Sequence, residues 1–355
     1  SLNTVMLDFN PRTEKHLLRP YDVLVTARST KVKSALVPAA LSRAVANSTL
    51  AVVRPREPEL GAFLWWFFTS RYGRAQLQAA LSRPYLALSG IIALALLVRI
   101  GLIAANRFHA DEALYSHWGL LIASGKDIFL KSEVVDKPPL FPYTLALFFK
   151  VLGPTETVAR LPNLMASATG IVIVHQLARR LYDRRVATLS ALFLALSPFD
   201  IQLAPTAFTD PLMVTLALGS CLAALAGPFW AAGLAIGLAA MSKPTAVLFA
   251  PLLLFALVVR LGRKGWRGQW RRAIAGLGAG LAPALVATIL WDSLIRVENA
   301  AFADTAVAHY GGIAPVALDE LGTRLAAWLG YLQYATGSRV LNALLLVGVP
   351  CLLIA

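Results

Sequence analysis

Cysteine, acidic charge and polar sequence are all scarce in this chain. Its two cysteines, Cys221 and Cys351, both lie in apolar runs. That excludes a disulfide framework or a cysteine-built metal cluster and leaves them as small packing residues. Charged residues make up 15% of the 355 positions and hydrophobic ones 57%. Soluble globular domains are roughly a quarter charged, so a wholly water-soluble protein is excluded. Acids are the scarcer sign: 19 Asp and Glu stand against 33 Lys and Arg, a formal charge of +14. Such an excess fits nucleic acid, but in so apolar a chain it fits basic cytoplasmic loops beside anionic headgroups better. No cleavable signal peptide and no internal repeat is visible. The Gly-rich patches at 233–240 and 276–285 lack the strand–turn–helix setting and the Lys-Ser/Thr end of a phosphate loop, so they read as close helix packing. The chain begins at Ser1 and closes on an apolar run, which reads as a piece of a longer protein.

The stretch at 107–140 is polar and lies between long apolar regions. Residues of membrane-spanning length are expected at about 85–105, 160–179, 185–204, 208–226, 228–242, 244–260, 273–292 and 339–355, the fifth of them short. The apolar run 139–152 has the length of an interfacial or re-entrant helix. Arg179, Arg180, Arg184 and Arg185 flank one short loop, and six basic residues lie between Arg260 and Arg272. With residues 1–83 on the cytoplasmic side, both loops fall there too only if 139–152 does not cross. The loop 106–159, Asp210, Lys243 and the segment 293–338 then share the opposite face. Arg99, inside the first span, is expected to face the bundle interior or to snorkel outward.

Residues 1–83 have a different texture and read as a small soluble α+β module. Strands are expected within 18–29 and 47–57, and a helix over 61–81. The aromatic run Phe63 to Phe68 reads as core. The stretch 17–55, followed by Ser70-Arg71-Tyr72-Gly73-Arg74, resembles the end of a target-recognition domain from a type I restriction specificity subunit. That family's turn before the first strand carries Gly-Asp, where this chain has Tyr21-Asp22. The resemblance implies DNA contact through residues 1–83 alone, with Arg28, Lys31 and Lys33 on phosphates.

Candidate chemistry gathers elsewhere. Asp111-Glu112 stands just past the first span, where a carboxylate meets both a membrane-borne substrate and water. It suits a general base, or Asp111 simply caps a helix. In Asp136-Lys137-Pro138-Pro139, Lys137 suits a phosphate, or the two charges form a surface pair at a helix entrance. Asp210-Pro211 and Lys243-Pro244 repeat the arrangement between spans, either as helix caps or as site residues. His109, His117 and His309 have no metal-motif spacing.

The ordered set Asp-Glu-Ala-x-Tyr (111–115), Lys-Pro-Pro (137–139), Ala-Arg-Leu-Pro (159–162), Arg-Arg-Leu-Tyr (179–182), Leu-Ser-Pro (196–198) and Thr-Asp-Pro-Leu (209–212) resembles membrane glycosyltransferases of the GT-C fold. More narrowly, it is similar to the protein O-mannosyltransferase superfamily, which includes the aminoarabinose transferases. The match runs over about 84–250, loosens after about 260, and lacks the family's C-terminal part. The resemblance implies a mainly α, polytopic helix bundle in 84–355, in a bacterial inner membrane. It implies transfer of a sugar from a polyprenyl-phosphate carrier to a lipid, glycan or protein acceptor at the outer face, with inversion. Asp111 would be the base, supported by Glu112, with Asp210 as a second carboxylate. Tyr115, Asp136, Lys137 and Lys243 would bind substrate. The resemblance fixes no cofactor and leaves a divalent metal open, with Asp210 and His109 as its candidate ligands. The competing functions are a transporter or flippase of lipid-linked material, which needs inverted repeats or broken helices, and a DNA-binding module carrying an incidental membrane segment.

Overall fold

The computed structural model describes residues 17–26, 33–40, 44–46, 50–105, 107–264, 269–295, 301–310, 317–331, 336–338, 340 and 342–343. The expected last span and the phosphate candidates Arg28 and Lys31 therefore lie wholly or largely outside the described residues. The chain divides into two compact units, Ser1–Ala87 and Leu88–Ala355.

The first unit carries a three-stranded antiparallel sheet in the order β2-β1-β3, formed by β1 (Val23–Thr26), β2 (Ser34–Leu36) and β3 (Leu50–Val53). Val23 faces Leu36 on one side and Val53 on the other. Strand β2 was not expected. Asp22, buried at the sheet's entrance, accepts from the Arg19 amide at 2.7 Å and from Arg54 Nε and Nη2 at 2.9 and 2.7 Å. Burial alone would raise its carboxyl, but these partners win and hold it below the ordinary carboxylate range. Tyr21 takes φ 66°, so the turn keeps a left-handed residue although a side chain stands there, at a cost of roughly 1–2 kcal/mol. Gly61 makes this fit: a Cβ there would lie 2.2 Å from the Tyr21 carbonyl oxygen.

The expected helix over 61–81 is two helices. α1 (Leu60–Thr69) stops because Ser70 is extended, with ψ 157°, and α2 (Arg71–Ala105) continues into the first span. The aromatic run is also corrected. Phe63, Trp65 and Trp66 are exposed, and Gly61 is the buried residue of α1. A helix apolar on every side cannot bury all its faces against a sheet this small.

The second unit is mainly α. It consists of the later part of α2, then α3 (Ala110–Ser124), α4 (Leu140–Leu152), α5 (Glu156–Leu181), α6 (Arg184–Ala195), α7 (Pro198–Leu203), α8 (Thr209–Ala226), α9 (Phe229–Ser242), a 3-10 turn (Pro244–Phe249), α10 (Ala250–Lys264), α11 (Gln269–Ile295), α12 (Phe302–Tyr310) and α13 (Leu321–Tyr331). Among the described residues, five segments are long and apolar enough to cross a membrane: Leu86–Ile103, Glu156–Leu181, Thr209–Ala226, Pro244–Gly262 and Gln269–Leu294. Helix α4, at 13 residues, has the short length expected of it. The expected span 185–204 is corrected to two short helices, because Pro198 cannot donate to the turn before it and the chain breaks at Leu196-Ser197.

Both Gly-rich patches pack against one another. A Cβ on Gly233 would come 2.0 Å from the Leu277 carbonyl oxygen, and one on Gly280 would come 1.8 Å from that of Trp230. Helices α9 and α11 therefore touch backbone to backbone. At one end of the unit, Arg260 donates to the carbonyls of Ala224 and Gly227 at 2.9 and 2.6 Å and lies over the Phe229 ring at 4.0 Å. An aromatic core of Tyr115, Trp118, Phe141, Phe149 and Trp291, with Ala207, fills the other.

Candidate active site

The N-terminus of α3 is capped by His109, not by Asp111. His109 Nδ1 accepts from the Asp111 amide at 3.1 Å, and the Asp111 side chain stays 54% exposed. Among the described residues no side chain donates a hydrogen bond to the Asp111 carboxylate; His109 Nδ1 lies 3.9 Å from it. The helix N-terminus itself favours the negative charge there.

Its neighbour has the opposite surroundings. Glu112 is 1% exposed and pairs with Arg160 of α5, itself 1% exposed, at 2.8 and 3.2 Å. Arg160 also donates to the carbonyls of Ile103 and Arg107, and Glu112 Oε1 accepts the Ala207 amide at 3.1 Å. One buried pair thus ties together the end of α2, α3, α5 and the segment before α8. Tyr115, a turn along α3, is buried among Trp118 and Phe141, with ring centroids 5.5 and 6.2 Å away.

The loop between α3 and α4 is built from local bonds. Asp127 accepts the amides of Lys131 and Ser132 at 2.9 and 2.7 Å and the Ser132 hydroxyl at 2.7 Å. Burial pushes its carboxyl up, and these donors more than reverse that, holding it low. Tyr143 Oη donates to the Ile128 carbonyl at 2.6 Å, and His117 meets Glu133 at 3.3 Å. The loop delivers Asp136 and Lys137, which pair at 2.5 Å, with Lys137 8% exposed. Pro138 and Pro139 stand ahead of α4, which begins at Leu140.

Asp210 lies in the first turn of α8, which follows Phe208 with no side-chain cap, and Lys243 closes α9. Their side chains meet through two bonds of 2.7 and 2.9 Å, part-exposed at 39% and 28%. The Ser242 hydroxyl donates to the Thr209 carbonyl at 3.1 Å, fixing α9 to the start of α8. The Phe208 ring sits 5.4 Å from that of His109, which links this pair to the start of α3. The structure therefore brings Asp210 and Lys243 together at the end of the bundle where Asp111 opens to solvent. It places Glu112 and Lys137 below the surface. His109 and Asp210 gain no companions as metal ligands: among the described residues no three His, Cys, Asp or Glu side chains come together.

The family model of dolichyl-phosphate-mannose-protein mannosyltransferases matches residues 136–291. The match takes in Asp136, Lys137, Arg160, Asp210 and Lys243, and begins after Asp111 and Glu112. With the membrane-length helices, it supports a membrane glycosyltransferase of the mannosyltransferase type. No curated protein and no solved structure matches the chain.

Two groups that matter here were missed in the sequence. Arg160 stands within the Ala-Arg-Leu-Pro motif and Asp200, which meets Arg99 at 2.6 Å, within none; both sit in apolar helices, where a charge itself is the signal.

Proposed function

We propose that the second unit transfers a sugar from a polyprenyl-phosphate carrier to an acceptor hydroxyl at the bundle end formed by residues 107–140, on the non-cytoplasmic face. One observation carries the reading. The segment matched by the mannosyltransferase family holds two cation–carboxylate pairs at this end, Lys137 with Asp136 and Lys243 with Asp210, together with Arg160, which pairs with Glu112 from outside the match. The side follows from the arginines at 179–185 and 260–272, which belong inside.

Asp111 is the base. Its exposed carboxylate takes the acceptor hydroxyl proton as the oxygen attacks the anomeric carbon. The bond from that carbon to the carrier phosphate breaks on the opposite side, its electron pair leaves with the phosphate, and the configuration inverts. Lys243, the more exposed of the two lysines, meets the developing phosphate charge, and Asp210 holds the ammonium in place until the phosphate arrives. Lys137 and Asp136 add a second cation–acid pair beneath the loop. Glu112 acts through position, because its carboxylate is committed to Arg160 and the Ala207 amide. Tyr115 likewise serves by packing the loop. Asp111→Asn should lower transfer by about 10²- to 10⁴-fold while carrier binding stays within a factor of about two. Preserved turnover would remove Asp111 from the role of base.

A second reading has one observation in its favour. The chain breaks at Leu196-Ser197 and again at Lys243, and many secondary transporters use discontinuous helices at their substrate sites. Flipping of a labelled carrier lipid in liposomes by the Asp111→Asn chain, without any transfer, would favour it.

A further inference from the structure

The break between α6 and α7 is filled by a side-chain cluster to which the chemistry above gives no task. Arg99, on α2 and 1% exposed, uses all five of its N–H donors there. Nη1 donates to the carbonyls of Ala95 and Ala195, both at 2.9 Å. Nη2 donates to the Leu194 carbonyl at 3.4 Å and to Asp200 Oδ2 at 2.6 Å, and Nε reaches the same oxygen at 3.2 Å. The Ser167 hydroxyl, from α5, donates to that oxygen too, at 2.6 Å.

Each contact answers a need. Pro198 has no N–H to offer the carbonyls that close α6, and at this depth in an apolar bundle an unpaired carbonyl is costly. The guanidinium donates to the Ala195 carbonyl and adds a second donor to that of Leu194, which also accepts the Ser197 amide at 3.2 Å. Its charge then needs a counter-ion, and Asp200 lies in the first turn of α7 to provide it.

From Asp200 the chain is held continuously up to the candidate site. The Ala204 amide donates to the Asp200 carbonyl at 2.9 Å, and that of Thr206 to Leu203 at 3.2 Å. Asn163 Nδ2 donates to the carbonyls of Thr206 and Phe208 at 2.7 and 2.6 Å, and Ala207 is bonded to Glu112. Thr209 and Asp210 follow at once. A shift at the break is thereby passed to the residue that pairs with Lys243.

We propose that Arg99, Asp200 and Ser167 form an intramembrane clamp that sets the height and angle of the α7–α8 connection, and so places the Asp210–Lys243 pair for the carrier phosphate. They are positioning residues and touch no substrate. What the pair binds rests on the function proposed above; the clamp rests on its own geometry. Lysine cannot replace Arg99, since it carries the charge without the planar fork that reaches carbonyls and carboxylate together.

The test uses the full chain in nanodiscs, as wild type, Asp200→Asn and Arg99→Lys. Hydrogen exchange is followed across 197–209, and binding is measured with undecaprenyl phosphate as the probe. Exchange about 10-fold faster in that segment, with α9 and α11 unchanged and probe binding about 10-fold weaker, is the expected result. Unchanged exchange in a folded variant overturns the clamp. Faster exchange with undiminished binding overturns its positioning role. Absence of probe binding by wild type would defeat the carrier reading instead, and exchange alone would then decide the clamp. Where a single variant fails to fold, Arg99→Leu with Asp200→Leu leaves no unpaired buried charge and takes the same two readouts.

Discussion

Two parts of the second unit hold their helices together by opposite means. Between α9 and α11 there is no charge: Gly233 and Gly280 let each backbone come against carbonyls of the other helix. At the loop end, by contrast, large aromatics fill the space and charges are held in pairs, Glu112 with Arg160, both buried, and buried Arg99 with the part-exposed Asp200. The glycine contact tolerates no side chain but carries no charge that a pH change could remove. The loop end is costly to build and fragile when one partner is lost, yet it keeps polar groups at fixed positions where apolar packing alone would keep none. The transfer site proposed above calls for the second kind of construction.

Glu112→Gln should be the largest break in this contrast. It leaves Arg160 buried without its counter-charge, and breaking such a pair costs about 3–5 kcal/mol. A sharp fall in folded yield and in thermal unfolding temperature in detergent is expected. Next comes Gly280→Val, where the new side chain must push α11 off Trp230; overpacking of this kind costs about 1–3 kcal/mol. Its signature is lost stability with the loop-end geometry intact, so carrier affinity per folded molecule should hold. Were both variants to lose carrier binding equally, the two regions would not be separate devices.

Lys243→Ala tests the exposed pair and should be milder in stability, since both partners reach solvent. Carrier affinity should fall about tenfold, which corresponds to about 1.4 kcal/mol. The smallest effect belongs to acid. Asp22 and Asp127 have carboxyls held below their unfolded values, so their contribution is complete above an unfolded pKa of about 3.9 and fades as pH falls through the lowered folded values. Unfolding of the first unit, followed by hydrogen exchange at β1, should ease in that acid window and not between about pH 5 and pH 7.

Much of this organisation was legible in the sequence. Hydropathy found the long helices, and the length of 140–152 marked it as different. The glycine patches were legible because they lacked everything a phosphate loop requires. Local patterns could not show pairing across the chain. Glu112 meets a partner 48 residues away and Arg99 one 101 residues away; only the fold brings them together. The missed break at Leu196 has a local origin: an apolar count over 185–204 is blind to a proline and an acid inside it. The exposed Phe63 and Trp66 failed for another reason: aromatic content predicts burial only where there is a surface large enough to bury against.

The most direct test of the central claim is an in-membrane transfer assay. The full chain is incubated with radiolabelled polyprenyl-phosphate sugars, wild type beside Asp111→Asn and Lys137→Ala. Label leaving the carrier in wild type and not in Asp111→Asn is the expected result, with Lys137→Ala impaired. Equal release by wild type and Asp111→Asn would contradict the assignment of this bundle end as the site of transfer.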